Sequence, residues 1–430
     1  MFKKGDLIKI STGGEAKVLS ELGSGGQGTV YKVSYNDKEY ALKWYHKPGE
    51  EKFYKNLKQN IEKGSPAPFF LWPLFLTEKD SNGCFGYLME LRDSAYKEFS
   101  DFLLAKVQFS TVSAMIEAGI KICAGFQKLH GKGYSYQDLN DGNFFINPST
   151  GDILICDNDN VSSADENMGI LGKCRYMAPE VVRGETMPNP QSDRFSLAII
   201  LFLLFFNNHP LEGELISNCP CMTEKHEKKF YGFSPLFIYD PTDNSNRPVR
   251  GIHTNVIHLW PEFPQYVRDI FINQFSQKVL QEPGRRISEK EWIENILLRM
   301  RHELVKCPSC GNEIFLDTEK NDFRCSDCSF HVDLRVPIIQ AGKYKVAVNR
   351  DKKIYQYITD SSKQKLYVCT GEIVESKKAP GLFGLKNLTQ NVWMLTTKNK
   401  NNRPIAPGEV VPLLIGNEIA FGNGSSAKIV

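Results

Sequence analysis

Polar and apolar positions alternate over residues 16–23, 29–35 and 38–44, and apolar residues crowd 70–77 and 84–91. That pattern predicts a run of strands, with Asn36 and Asp37 supplying the turn between the second and third. Residues 50–63 break the run: Phe53, Leu57 and Ile61 fall four apart, one face of a helix that Gly64 and Pro66 should stop. A second helical pattern over 113–130 aligns Ile116, Ile120, Ile122 and Leu129, and the chain then reads as mainly helical to about residue 301. The longest apolar run, 197–206, is about half of the roughly 20 residues a membrane span needs and reads as a buried helix. Strand-like alternation returns over 335–430, with turns at 349–351, 399–402 and 422–424. The expected fold class is α+β: a small β-rich lobe, a large α-rich lobe and an appended all-β region.

Composition narrows the class of function. A chain of 430 residues, 41% hydrophobic and 24% charged, is ordinary globular protein with room for two or three cores. A net charge of +3, from 53 basic and 50 acidic residues, creates no global field toward nucleic acid or a membrane surface, so any partner must be recognised in a site. Residues 1–10 lack the apolar core of a signal peptide, and seven of the 11 cysteines are scattered, mostly in apolar stretches. A reducing, cytoplasmic setting is expected. The other four, Cys307, Cys310, Cys325 and Cys328, form two C-x2-C pairs. Two such knuckles can close a tetrahedral Zn2+ site with no open position, which predicts a structural metal; reduced knuckles or local disulfides are the alternative.

Candidate chemistry follows in chain order. Gly23-Ser24-Gly25-Gly26-Gln27-Gly28-Thr29-Val30 lies between two predicted strands, where glycine backbone can fold closely over phosphates. Ala41-Leu42-Lys43 places an ammonium among apolar residues, where it needs an anionic partner. Asp138 and Asn143 lie across a tight loop in Tyr136-Gln137-Asp138-Leu139-Asn140-Asp141-Gly142-Asn143. A hairpin then delivers Asp157-Asn158-Asp159, so Asp157 would emerge beside Asn143, and this pair is suitable oxygen ligation for Mg2+. Further on come Ala178-Pro179-Glu180, then Ser192-Asp193-Arg194-Phe195, then Arg285-Arg286.

In this order the motifs resemble the eukaryotic-type protein kinase family over roughly residues 10–303, and the resemblance implies a bilobal kinase fold using ATP and Mg2+ to phosphorylate Ser or Thr of a protein. It implies that Gly23, Gly25, Gly28, Val30, Ala41, Met89, Glu90 and Leu91 surround the nucleotide. Lys43 would anchor its phosphates, Asp138 would accept the substrate's proton, and Asn143 with Asp157 would hold the metal. Glu180 would pair with Arg286, and Asp193 would tie down the catalytic loop. The expected boundaries are 1–303 for the kinase domain (small lobe to about 91, large lobe from 92), 304–334 for the zinc ribbon and 335–430 for the β-rich domain.

The chain departs from the family pattern at several positions. Tyr136-Gln137-Asp138 stands for His-Arg-Asp, Asp157-Asn158-Asp159 for Asp-Phe-Gly, Asn140 for a lysine and Lys173 for a threonine. The helix glutamate that should pair with Lys43 is Glu62 by spacing, with Glu51 near the helix start as the other choice; Asn56 at the inward position would leave none. Gln137 removes the usual grip on an activation-loop phosphate, and Ser162 and Ser163, beside Asp165 and Glu166, are the only Ser or Thr residues between Asn158 and Ala178, which predicts activity without loop phosphorylation. Segments 64–73, 234–241 and 246–248 resemble a bacterial subgroup encoded beside a type-2C protein phosphatase and a von Willebrand A protein in clusters linked to tellurium resistance. Residues 380–388 and 415–422 resemble the C-terminal domains of those systems and, more distantly, a forkhead-associated sandwich without its phosphothreonine-reading signatures. A pseudokinase scaffold and a small-molecule phosphotransferase are the competing readings.

Overall fold

In the computed structural model, residues 1–164, 166, 172–316, 318, 324–331, 336–363 and 365–430 are described. They form two compact units, Met1–Ile293 and Glu294–Val430. The division precedes the boundary expected at 303.

The first unit opens with strands β1 (Leu7–Lys9), β2 (Glu15–Ser24), β3 (Gly28–Tyr35) and β4 (Lys38–Tyr45), then helix α1 (Glu51–Lys63), β5 (Phe75–Leu76) and β6 (Gly86–Glu90). They make one antiparallel sheet ordered β1-β2-β3-β4-β6-β5. Asn36 and Asp37 both take left-handed φ values, 48° and 58°, the requirement of a tight two-residue hairpin. Because side chains alternate across a strand, Leu42 and Leu88 face a core with Ile8, Val18, Tyr31 and Val33, whereas Ala41, Tyr87 and Met89 face Leu57 of α1. The strand expected over 70–77 shrinks to β5. Pro68 and Pro73 lack the N–H a ladder needs, and the segment instead bonds the large lobe, Leu71 N–H donating to the Ile155 carbonyl at 2.8 Å.

The large lobe is built on helices α2 (Val112–Gly131) and α3 (Pro190–Phe206). Thr111 caps α2 through the Ala114 N–H, and Asn189 with Ser192 forms a reciprocal cap on α3. From Leu197 to Phe206 every α3 residue is buried. No helix among the described residues is long and apolar enough to cross a membrane.

His130, near the end of α2, joins the lobe's elements. Its Nε2 lies 3.1 Å from Asp193 and its Nδ1 3.0 Å from Glu289, and all three side chains are buried. Burial opposes the imidazolium, yet hydrogen bonds and charge from Asp193 and Glu289 outweigh it and raise the pKa to about 9. The unfolded value is about 6.5, so the native state holds this proton more tightly. The resulting stabilisation is present below pH ~6.5 and is lost as pH rises through about 9. Chemical denaturation should therefore show the first unit losing on the order of 3 kcal/mol across that window, and His130→Gln should flatten the slope.

The second unit begins with helix Leu298–Glu303, whose Glu303 Oε1 accepts from Arg299 and from Thr318, each at 2.8 Å. Strand Leu304–Lys306 then pairs with Glu313–Phe315. The rest is two antiparallel sheets, of six and four strands. The two face each other at Gly371 of the four-stranded sheet: a Cβ there would lie 2.8 Å from Leu385 and 3.4 Å from the ring of Trp393, a buried residue of the six-stranded sheet.

Candidate active site and cysteine cluster

The glycine-rich segment is the turn of the β2–β3 hairpin, closed by the Gly25 N–H on the Gly28 carbonyl at 2.9 Å. Gly28 has its own steric reason, since a Cβ there would lie 2.3 Å from the Trp44 carbonyl. Cβ atoms on Gly23, Gly25 or Gly26 would meet nothing, so the peptide groups of this turn border open space and can approach an anion closely.

Sheet register sets Val30 opposite Lys43, Ala41 opposite Met89 and Tyr40 opposite Glu90. Ala41 and Met89 belong to one apolar cluster against which Val30, Leu91, Phe145 and Leu154 pack. A flat ring could lie there, with the exposed end of β6 at Glu90 offering backbone polar groups. Phe145 and Leu154 escaped sequence reasoning because they lie on a hairpin far along the chain.

The geometry of the 135–143 loop depends on Asp193. Its Oδ2 accepts from the Tyr136 N–H at 2.7 Å and the Ser135 hydroxyl at 2.9 Å, and its Oδ1 from the Gln137 N–H at 3.0 Å. These bonds hold Gln137 at φ 73°, a strained value for a residue with a Cβ. The next residue, Asp138, is half-buried; burial raises its pKa above the usual carboxylate range, while the Asn140 amide at 3.2 Å and Lys173 act in the opposite sense.

Asn143 follows a reciprocal cap in which its Oδ1 accepts from the Asn140 N–H at 2.6 Å and Asn140 Oδ1 accepts from the Gly142 N–H at 3.0 Å. Strands β7 (Phe144–Ile146) and β8 (Ile153–Ile155) then pair, with Phe144 opposite Ile155. The Cys156 N–H continues that register onto the Asn143 carbonyl at 2.8 Å, which brings Asp157 out next to Asn143. Asp157 has φ 54°, a second left-handed non-glycine residue in the site. Tyr136 and Asn158 show how the altered motifs still close: the Tyr136 hydroxyl donates to the Cys156 carbonyl, and the Asn158 amide to the Leu71 and Ile155 carbonyls at 2.9 and 2.8 Å.

The buried Lys43 ammonium lies 2.8 Å from Asp159, 3.3 Å from Asp157 and 3.4 Å from Gln27. Burial works to lower its pKa, but the Asp159 and Asp157 carboxylates prevail and hold it well above the ordinary lysine value. The helix glutamate assigned by spacing is corrected. Glu62 is exposed, Glu51 pairs with Lys79 at 2.9 Å on the surface, and Asn56 and Asn60 occupy the inward face of α1. The 3.6-residue period places Asn56, Asn60 and Leu57 on one side and turns Glu62 away. Elsewhere in the lobe, Glu180 and Arg286 form a buried two-point ion pair, both contacts 2.7 Å.

Gln137 also donates to the Ser162 hydroxyl and the Glu166 carbonyl, each at 2.6 Å, so a neutral amide fastens the segment after Asp159 to the loop that carries Asp138. Ser162 is fully buried. Asp165, the other residue expected to repel a loop phosphate, lies outside the described residues. Replacing Ser162 and Ser163 by Ala should cost less than about tenfold in initial rate, about 1.4 kcal/mol, since only neutral hydrogen bonds of the Ser162 hydroxyl are lost and Gln137 keeps its bond to the Glu166 carbonyl. A larger loss would mean that phosphorylation there matters.

In the second unit, Cys307, Cys310, Cys325 and Cys328 present sulfurs all within 4.8 Å of one another. The separations Cys307–Cys328 and Cys310–Cys325 are 3.7 and 3.6 Å. These are too long for disulfides at about 2.05 Å and close to the ~3.8 Å edge of a tetrahedron with metal–sulfur bonds of about 2.3 Å. Burial opposes ionisation of Cys307, yet the backbone N–H groups of Cys310 and Ser309 and the neighbouring thiols hold its pKa down to about 7. The donor set therefore fits Zn2+. Cys307 and Cys325 also belong to a small core with Val305, Ile314 and Leu316.

Comparison with known proteins agrees with this geometry. Residues 16–259 match the family model described as protein kinase domain. The chain is similar, at 23% identity over 211 residues, to the serine/threonine-protein kinase/receptor R831 of Acanthamoeba polyphaga mimivirus, a match covering 46% of this chain and 13% of that protein. At 22% identity over 311 residues it is similar to the serine/threonine-protein kinase RTK1 of Saccharomyces cerevisiae, covering 67% of this chain and 44% of that one. The chain thus spans less than half the length of either curated relative.

Proposed function

Since the chain belongs to the protein kinase family, we propose that it transfers the γ-phosphoryl of Mg-ATP to serine or threonine hydroxyls of a protein in cytoplasmic bacterial signalling. The observation that carries this reading is that Lys43 lies 3.3 Å from Asp157 and 3.4 Å from Gln27 of the glycine hairpin, while Asp157 follows the Cys156 N–H bond to Asn143 and Asp138 meets the Asn140 amide of the same loop. Phosphoryl transfer asks a protein mainly for positioning and charge neutralisation. Mg2+ would be held by Asn143 and Asp157 and would neutralise charge on the phosphates. Lys43 would hold the phosphates from the small lobe, the peptide groups of residues 23–28 would cover them, and Asp138 would orient the acceptor hydroxyl and take its proton.

On the resemblance of residues 64–73, 234–241 and 246–248 to the tellurium-linked subgroup, we propose a type-2C phosphatase and a von Willebrand A protein as partners. We propose the cysteine cluster as a structural zinc site, since four thiolates leave no position for a substrate.

The test of the activity is incubation of the full chain with Mg-ATP labelled in the γ-phosphoryl, followed by phosphoamino-acid analysis of the labelled protein. Phosphoserine or phosphothreonine is expected. Label on an aminoglycoside and on no protein would reject the reading, as would nucleotide binding without any transfer.

A further inference from the structure

A buried ammonium is costly unless an anion meets it, and α1 has no carboxylate to offer Lys43. Its inward positions, Asn56 and Asn60, are spent on the Val161 carbonyl, to which both amides donate, at 2.9 and 2.7 Å. The contact instead comes from the last residue of the Asp157-Asn158-Asp159 turn. Asp159 is fully buried, and its Oδ2 accepts from Lys43 at 2.8 Å and from the Tyr45 hydroxyl at 2.5 Å. Asp157, two residues earlier, has a side chain 50% exposed and a longer 3.3 Å contact with Lys43.

We propose that Asp159 is the positioning residue for Lys43, taking the place of the helix glutamate, so that the more exposed Asp157, on its longer contact, can face the metal. The inference rests on Lys43 being the nucleotide anchor. Its mechanical consequence is that the anchor's carboxylate and the metal-facing carboxylate share one short turn. Rotation of α1 would not carry away the carboxylate that meets Lys43, because that carboxylate is not on α1; what α1 contributes is two amide bonds to the turn's continuation at Val161.

The experiment is a double-mutant cycle on the full chain with Lys43→Met, Asp159→Asn and the two combined, reading the Kd of a non-hydrolysable Mg-ATP analogue by calorimetry. Asp159→Asn should weaken binding about tenfold or more, and the combined variant should be no weaker than Lys43→Met alone, because Asp159 acts through Lys43. The KM for protein substrate should hold, and Glu62→Ala should change nothing. Tyr45→Phe, which keeps the ring and removes one donor to Asp159, should weaken nucleotide binding in the same direction and serves if Asp159→Asn fails to fold. Additive losses, or a loss reproduced by Glu62→Ala, would overturn the assignment. Should Lys43→Met weaken the nucleotide while Asp159→Asn does not, only the Asp159 assignment falls; should Lys43→Met have no effect, the anchor reading itself falls.

A second displaced charge lies on the substrate side. The family's lysine two residues after the catalytic Asp is here Asn140, and its threonine in the following segment is Lys173. Lys173 Nζ donates to Asn140 Oδ1 at 2.8 Å, while Asn140 Nδ2 lies 3.2 Å from Asp138 Oδ1, so the ammonium sits one side chain away from the proposed base. We infer that Lys173 supplies, from the opposite element, the positive charge that stabilises the transferring phosphoryl group. Lys173→Met should lower kcat about tenfold or more with little change in the KM for ATP. It should also move the acidic limb of the kcat–pH profile upward, since Lys173, which also lies 3.8 Å from Asp141, acts with the Asn140 amide against burial, Asp157 and Asp159, which raise the Asp138 pKa. Exchanging the pair, Asn140→Lys with Lys173→Thr, should recover rate relative to Lys173→Thr alone. An unchanged kcat in Lys173→Met, or no recovery on exchange, would overturn the inference.

Discussion

Asp157→Asn should lower phosphoryl transfer by about a thousandfold or more, roughly 4 kcal/mol of barrier, with the fold intact. Asp157 emerges beside Asn143 because the β7–β8 register ends on the Cys156-to-Asn143 hydrogen bond at 2.8 Å, and it is half exposed where Asp159 is hidden. Asn keeps the shape and one oxygen but loses the charge that a divalent cation and its phosphates require. Lys43→Met should be comparably damaging for the complementary reason, loss of the cation facing those phosphates. Circular dichroism and thermal unfolding would establish that both variants fold, and labelling from γ-phosphoryl ATP would read the rate. Either variant retaining near-normal transfer would contradict the proposed roles.

Removal of the four-thiolate metal should produce the second large effect. Purified protein is expected to carry one zinc per chain by elemental analysis, and Cys307→Ser combined with Cys325→Ser should abolish it. Metal affinity becomes folding free energy when the site does not exist in the unfolded chain, on the order of 10 kcal/mol for small zinc modules. Here the cysteines make up part of the local core, Cys307 and Cys325 being buried with Val305, Ile314 and Leu316, so the variant should lose cooperative unfolding of this segment while the first unit keeps its own transition. Full zinc in the variant would contradict the assignment.

Much of the site was legible because its signals are local. Gly23 to Val30 reads as a phosphate-covering hairpin since a turn between strands is set by neighbouring residues, and the paired cysteines announce themselves by spacing alone. The Asp193 anchor and the Glu180–Arg286 pair were legible through family resemblance. The apolar content of residues 70–77 suggests a full strand, but the missing donors at Pro68 and Pro73 limit it to Phe75–Leu76. Glu62 has the right distance along the chain from Lys43, a quantity that does not record which way a helix face turns.

Local pattern along the chain sets the order of elements, the two-residue hairpin at Asn36 and Asp37, the burial of α3 and the identity of the residues able to do chemistry. Each of these follows from short-range periodicity, backbone freedom or side-chain type. Only the tertiary structure decided which carboxylate meets Lys43. Glu51, Glu62, Asp157 and Asp159 are chemically near-equivalent anions, and the selection among them came from burial and reach. The sheet carries Lys43 inward, α1 turns its asparagines toward Val161, and the turn after β8 brings Asp159, 116 residues away, to 2.8 Å. Coulomb attraction is strong only at such distances and away from water, so the partner is set by packing that no local pattern encodes.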